Sequence, residues 1–323
     1  MEATVSKRWL LARLYEPEQT IVDCRFTLGK PQAGRESYEQ EHIPGAVYLD
    51  LELDLSAPVA EHGGRHPLPD PQVLAARLAK LGIGNDTRIV AYDDESGMNA
   101  ARLWWLLRYL GHEQVYVLEG GFSAWKAEKY PVTDHQPIRV PSSFVANVQP
   151  QMLAGAREVR ELSGKLLNTG GEDRVEIGAD SRAGAGANSG ADSETGSWAG
   201  SGGDPSASSP ALPVLIDSRA HDRYLGQNET LDPVGGHIPG AVNYFWKDTQ
   251  NADGSYKSAE QLSEHFAGLD KDREIVVYCG SGVTACPNVL ALERAGFKNV
   301  RLYAGSWSDW ISYEGNPVAT GEE

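Results

Sequence analysis

Residues 274–288 read EIVVYCGSGVTACPN. Ile275, Val276, Val277 and Tyr278 form a short apolar run of the kind that makes a strand buried on both faces. The run stops at Cys279. Gly280, Ser281 and Gly282 follow, and then Val283, Thr284, Ala285 and a helix-like segment reaching Arg294. A cysteine at the carboxyl end of a buried strand, with a glycine-rich turn feeding a helix, sits where α/β sheets bind ligands. The N–H groups of such a turn, together with the following helix N-terminus, favour a thiolate and a bound anion.

Working outward, the segment around Cys279 is the second half of an internal repeat. Glu274-Ile-Val-Val-Tyr matches Arg88-Ile-Val-Ala-Tyr, and Leu215-Ile-Asp-Ser-Arg echoes Ile21-Val-Asp-Cys-Arg. His237-Ile-Pro-Gly-Ala-Val repeats His42-Ile-Pro-Gly-Ala-Val letter for letter, and the 300–310 segment with its paired tryptophans matches 115–125. A repeat of this length means two copies of one domain. Strands such as 88–94 and 115–118 alternate with helical patterns such as 71–81 and 99–110, which predicts an α/β fold with a mostly parallel sheet flanked by helices in each copy. The division expected is 1–140 and 141–323. Within the second copy, 168–212 is rich in Gly, Ser, Ala and Asp and carries seven acidic residues against Arg174 and Arg182. It is read as a flexible low-complexity insertion with too little apolar surface to offset its ordering entropy.

Composition bounds the partners. A net charge of −16 argues against nucleic acid and anionic membranes. No apolar run approaches the length of a membrane span. Three cysteines, Cys24, Cys279 and Cys286, make no paired disulfide framework and no metal-type CxxC spacing, so no metal and no cofactor is expected, and a reducing, cytoplasmic setting is expected.

The Cys-Gly-Ser-Gly-Val-Thr-Ala loop resembles the active-site loop of the rhodanese superfamily, and within it the mercaptopyruvate sulfurtransferase branch; the whole tandem layout is similar to that superfamily as well. The thiosulfate branch carries basic residues after the cysteine, where Gly280 and Ser281 stand here. The resemblance implies that Cys279 attacks the sulfur of a small-molecule donor and becomes a persulfide, which a thiol, a thioredoxin-like protein or cyanide then discharges. The backbone of Gly280, Gly282, Val283 and Thr284 would hold the outer sulfur, and Arg223 the donor's anionic group. Ser281 is similar to a serine that the branch combines with a histidine and an aspartate of the first domain, here His66 and Asp54, for proton handling. The branch's second arginine has no counterpart in 227–236. In the first repeat the place of Cys279 falls on Asp93 or Asp94, so that domain is expected to be catalytically silent and the protein to act as a monomer. Duplication marks His42, His237, Arg25 and Arg219 as structural. Cys24 and Cys286 are read as packed thiols, with Cys286 near enough to Cys279 to act as a resolving thiol under oxidation. The alternatives are a thiosulfate sulfurtransferase and a non-enzymatic persulfide carrier or binding protein. A cysteine phosphatase is disfavoured, because it needs arginine where Ala285 stands.

Overall fold

The computed structural model describes residues 3–94, 96–168 and 211–322. Most of the 168–212 insertion therefore lies outside the described residues. The chain runs β1 (Thr4–Val5), α1 (Lys7–Ala12), β2 (Gln19–Asp23), α2 (Ala33–Gln40), β3 (Val47–Tyr48), α3 (Pro71–Lys80), β4 (Arg88–Tyr92), α4 (Met98–Tyr109), β5 (Val115–Leu118) and α5 (Gly121–Ala127). The second unit follows with α6 (Ala156–Asn168), β6 (Val214–Asp217), α7 (His221–Tyr224), β7 (Ala241–Asn243), α8 (Ala259–His265), β8 (Ile275–Tyr278), α9 (Ala285–Arg294), β9 (Val300–Leu302) and α10 (Ser306–Trp310). Two parallel sheets result, in the orders β1-β5-β4-β2-β3 and β7-β6-β8-β9. The strands expected at 88–94, 115–118 and 275–278 are in place. The two- and three-residue edge strands β1, β3 and β7 are too short to show a period in sequence.

Helices start where local chemistry lets them. Asp70 caps α3 by accepting the N–H groups of Gln72 and Val73, with Pro71 in the first turn. Ser258 and Gln261 form a reciprocal capping box on α8. The duplicated His-Ile-Pro-Gly turns are structural in both copies. His42 bonds the Tyr38 carbonyl through Nδ1 at 2.6 Å and stacks on its ring, and His237 does the same with Tyr224 at 2.8 Å. Arg25 grips Asp23 at 2.7 Å and Arg219 grips Asp217 at 2.6 Å, closing the ends of the central strands.

The units meet through α4 and α9. Each sends buried residues into one continuous apolar cluster, including Leu103, Trp104 and Leu107 from the first and Val289, Leu290 and Leu292 from the second. A shared core makes the two domains pack as tightly as the interior of one. The carboxyl ends of β2, β4, β6 and β8 consequently open beside a seam to which both domains contribute side chains.

Candidate active site

Tyr278 pairs in register with Asp217 at the end of β6, so Cys279 is the first residue beyond the sheet. Its carbonyl accepts the Trp307 N–H at 3.0 Å, and its N–H donates to Ser306 Oγ at 3.1 Å. The residue is 1% exposed, so the sulfur lies at the bottom of the seam. Sγ accepts the Gly282 N–H at 3.2 Å. Among the described residues, the N–H groups of Gly280, Ser281, Val283 and Thr284 have no partner, which leaves a row of donors beside the sulfur. Gly282 has φ +79°, and a Cβ there would lie 2.1 Å from the Ala304 carbonyl oxygen, so the loop requires glycine at this point. The Thr284 hydroxyl makes no capping bond, although the residue stands at the N-cap of α9.

The first repeat settles its own alignment. Tyr92 pairs in register with Asp23, and the Asp93 carbonyl accepts the Phe122 N–H just as Cys279 accepts that of Trp307. Asp93, not Asp94, is the counterpart of Cys279. Its carboxylate accepts the N–H groups of Gly97, Asn99 and Ala100 at 2.8, 2.7 and 2.9 Å. The donors that the second loop turns toward a sulfur are, in the first, already used by a built-in anion. Ser306 likewise matches Gly121: both have positive φ, +58° and +64°. A serine in this region is strained. Here its Oγ bonds the Cys279 N–H and stands 4.0 Å from Sγ.

From the first domain come His66, Arg65 and Arg102. His66 Nδ1 and Ser281 Oγ are 2.8 Å apart across the seam. Burial, and then the positive charges of Arg102 and Arg65, lower the His66 imidazole to about 4, so it is neutral near pH 7. Asp54 is not its partner. That carboxylate accepts the Asp50 N–H at 2.9 Å and pairs with Arg77 at 2.8 Å, because the turn after β3 folds it back on its own domain. The expected Ser–His–Asp relay is therefore a Ser281–His66 dyad, with no carboxylate among the described residues on the imidazole.

Arg102 is fully buried in α4, with one nitrogen on the Gly282 carbonyl at 3.1 Å and another on that of His66 at 3.2 Å. Burial lowers its pKa, opposed by its position beside the sulfurs of Cys286 and Cys279. It is a cation beneath the cysteine loop that sequence reasoning missed, hidden among the apolar neighbours of a buried helix. Cys286 donates to the Gly282 carbonyl at 3.3 Å, and burial pushes its thiol up to about 12. Cys24 is likewise raised well above the ordinary thiol range by burial and by Asp93. Neither thiol is set up as a nucleophile.

Arg223 stands where expected, and a second guanidinium joins it. A Cβ placed on Gly280 would lie 3.0 Å from Arg65 Nη2 and 3.5 Å from Arg223 Nη2. Where 227–236 holds no arginine, Arg65 of the other domain brings a second guanidinium beside Gly280. Its sequence signal was adjacency to His66. In place of an arginine, the 227–236 segment supplies Glu229 and Asp232. Glu229 takes Arg223 Nε and Nη2 at 3.0 and 2.8 Å, and Asp232 bonds both Arg65 and Arg223, the latter at 3.3 Å.

Comparison with known proteins agrees with this architecture. Residues 6–128 and 205–313 each match the rhodanese-like domain. A probable 3-mercaptopyruvate sulfurtransferase of Pseudomonas aeruginosa is 41% identical over 97% of this chain and 96% of its own. The thiosulfate sulfurtransferase of Mus musculus is 30% identical over 96% of this chain and 92% of its own. The crystal structure of SseA from Escherichia coli, a 3-mercaptopyruvate sulfurtransferase, superposes with a TM-score of 0.72 at 28% identity, covering 95% of this chain and all of that one. With both halves matched and near full-length relatives at such identity, the chain belongs to the rhodanese-like family, in two tandem copies.

Proposed function

We propose that the protein is a sulfurtransferase that takes sulfur from 3-mercaptopyruvate through a persulfide on Cys279. The observation that carries this reading is the Ser281–His66 pair at 2.8 Å, beside the cysteine and assembled from both domains. Thiosulfate needs no proton when its sulfane sulfur leaves, whereas mercaptopyruvate releases an enolate that must gain one. Cys279 attacks the donor sulfur, the carbon–sulfur bond breaks, and its electron pair passes to C3 of the pyruvate enolate. Ser281 and His66 supply a hydroxyl and a neutral imidazole that pass the donor's own thiol proton to C3, which completes pyruvate and leaves the outer sulfur as a persulfide anion. The donors of 280–284 hold the outer sulfur, and Arg223 with Arg65 holds the carboxylate. A thiol, a thioredoxin-like protein or cyanide then attacks the outer sulfur and frees Cys279.

On this reading 1–140 is a silent domain that forms one wall of the seam, 141–323 is the catalytic domain, and the monomer suffices. Three reduced, buried cysteines suit a cytoplasmic setting. Among the described residues no helix is long and apolar enough to cross a membrane, and no group of three metal-ligating side chains occurs.

Steady-state kinetics with both donors on one preparation tests the assignment. kcat/KM is expected to favour 3-mercaptopyruvate over thiosulfate by about tenfold or more, roughly 1.4 kcal/mol of transition-state preference. A preference for thiosulfate would overturn it, and the protein would be a thiosulfate sulfurtransferase.

A further inference from the structure

Both arginines beside Gly280 are already engaged by carboxylates of this chain. Glu229 is held in a bidentate grip by Arg223, touches Arg219 at 3.4 Å, and accepts the N–H groups of Leu231 and Asp232 at 2.9 and 3.1 Å. Burial disfavours its charge, yet those N–H groups and Arg223 together hold its carboxyl below the usual carboxylate range. Glu229 is therefore a fixed part of the frame. Asp232 differs. Its carboxylate accepts no backbone N–H, and its two partners are Arg65 of the first domain and Arg223 of the second. It is nonetheless buried. Three guanidinium groups, Arg65, Arg219 and Arg223, then face three carboxylates, Asp217, Glu229 and Asp232, and the cluster is charge-balanced. Each of the two arginines at the loop keeps one nitrogen, Nη2 of Arg65 and Nη1 of Arg223, that bonds no carboxylate and lies within 4 Å of a Cβ placed on Gly280.

We infer that Asp232 sets the charge of the donor site, bridging Arg65 and Arg223 so that the site accepts a monoanionic donor and discriminates against a dianion. The inference rests on the anion-binding role given above to the two arginines. Coulomb energy scales with the charge of the ligand, so the Asp232 carboxylate repels a dianion about twice as strongly as a monoanion in the same place. An arginine pair without it would draw in sulfate-like dianions preferentially. The neutralised pair still offers two N–H donors for one planar carboxylate. Selectivity here comes from a repulsive element placed beside an attractive one.

The test is isothermal titration of the full-length protein with pyruvate, a monoanion, and sulfate, a dianion, at constant ionic strength. Asp232→Asn is expected to lower the ratio Kd(sulfate)/Kd(pyruvate) by about tenfold, and Asp232→Glu to restore it. Arg65→Met leaves Asp232 facing Arg223 alone and should raise the same ratio by about tenfold, which keeps a readout if the asparagine variant fails to fold. A carboxylate that merely tethers the loop would weaken both anions equally; that result, or an unmoved ratio in the folded variants, overturns the inference. Titration needs no turnover, so a wild-type preference for thiosulfate in the kinetic comparison would reject the donor assignment while leaving this measurement to decide the role of Asp232.

Discussion

Asp93 occupies in the first repeat the place that Cys279 occupies in the second, one residue past the matched strand ends at Tyr92 and Tyr278. The same loop thus presents its donors to a tethered carboxylate in one domain and to a sulfur in the other.

Asp93→Ala leaves three buried N–H groups without an acceptor. Each charge-assisted bond of this kind is worth about 1.5–3 kcal/mol, and relaxation recovers part of the loss. The variant is expected to unfold in urea with about 3 kcal/mol less stability, while kcat at a temperature well below its midpoint changes less than about threefold, since the lost bonds lie within the loop of the first domain. Unchanged stability would show that the N–H row finds other acceptors.

The three cysteines differ in setting, and their variants should differ accordingly. Cys279→Ser is expected to abolish sulfur transfer. Cys24→Ser and Cys286→Ser should retain most of it, because both thiols are buried and held protonated. Mass spectrometry of donor-treated protein should place one added sulfur on the peptide containing Cys279, and its appearance on Cys24 would contradict the assignment.

Among the described residues Arg102 is a buried cation with no carboxylate partner, an arrangement that costs several kcal/mol in desolvation. It brings positive charge to the loop that carries Cys279. Arg102→Met should slow iodoacetamide alkylation of Cys279 at pH 7 by about tenfold, because the nearby positive charge favours the developing negative charge on the attacking sulfur. An unaltered rate would make the loop's N–H groups sufficient by themselves.

His66 is neutral in the folded protein down to about pH 4, against about 6.5 for an ordinary histidine. Between those values the unfolded chain binds a proton that the folded protein refuses, so the folded state loses stability as pH falls through that window and has its full share above pH 6.5. Going from pH 7 to pH 5 should cost the wild type about 2 kcal/mol more than it costs His66→Gln, read from urea unfolding at both pH values. The wild-type kcat/KM profile should show no inflection near pH 6.5 that His66→Gln removes.

The repeat, the buried apolar strands, the glycine turn after Cys279 and the duplicated His-Ile-Pro-Gly motifs were all legible in the sequence. Each depends on neighbours a few residues apart, on strand burial, on positive φ or on a local hydrogen bond, and such constraints leave a pattern along the chain. Cys279, Ser281 and Arg223 as candidate site residues followed from that pattern together with the family resemblance. Tertiary structure decided the rest. Asp54 turned out to face Arg77 rather than His66, Arg65 of the first domain brought a second guanidinium beside Gly280, and Arg102 reached the cysteine loop from within an apolar helix. The first depends on how one turn folds back on its own domain; the other two join residues more than 150 positions apart, and they exist because α4 and α9 share a core that sets the two domains at one fixed seam. No spacing in the chain encodes that docking; it is set by the packing of the apolar faces of two helices, and the charges at the seam are carried wherever that packing places them.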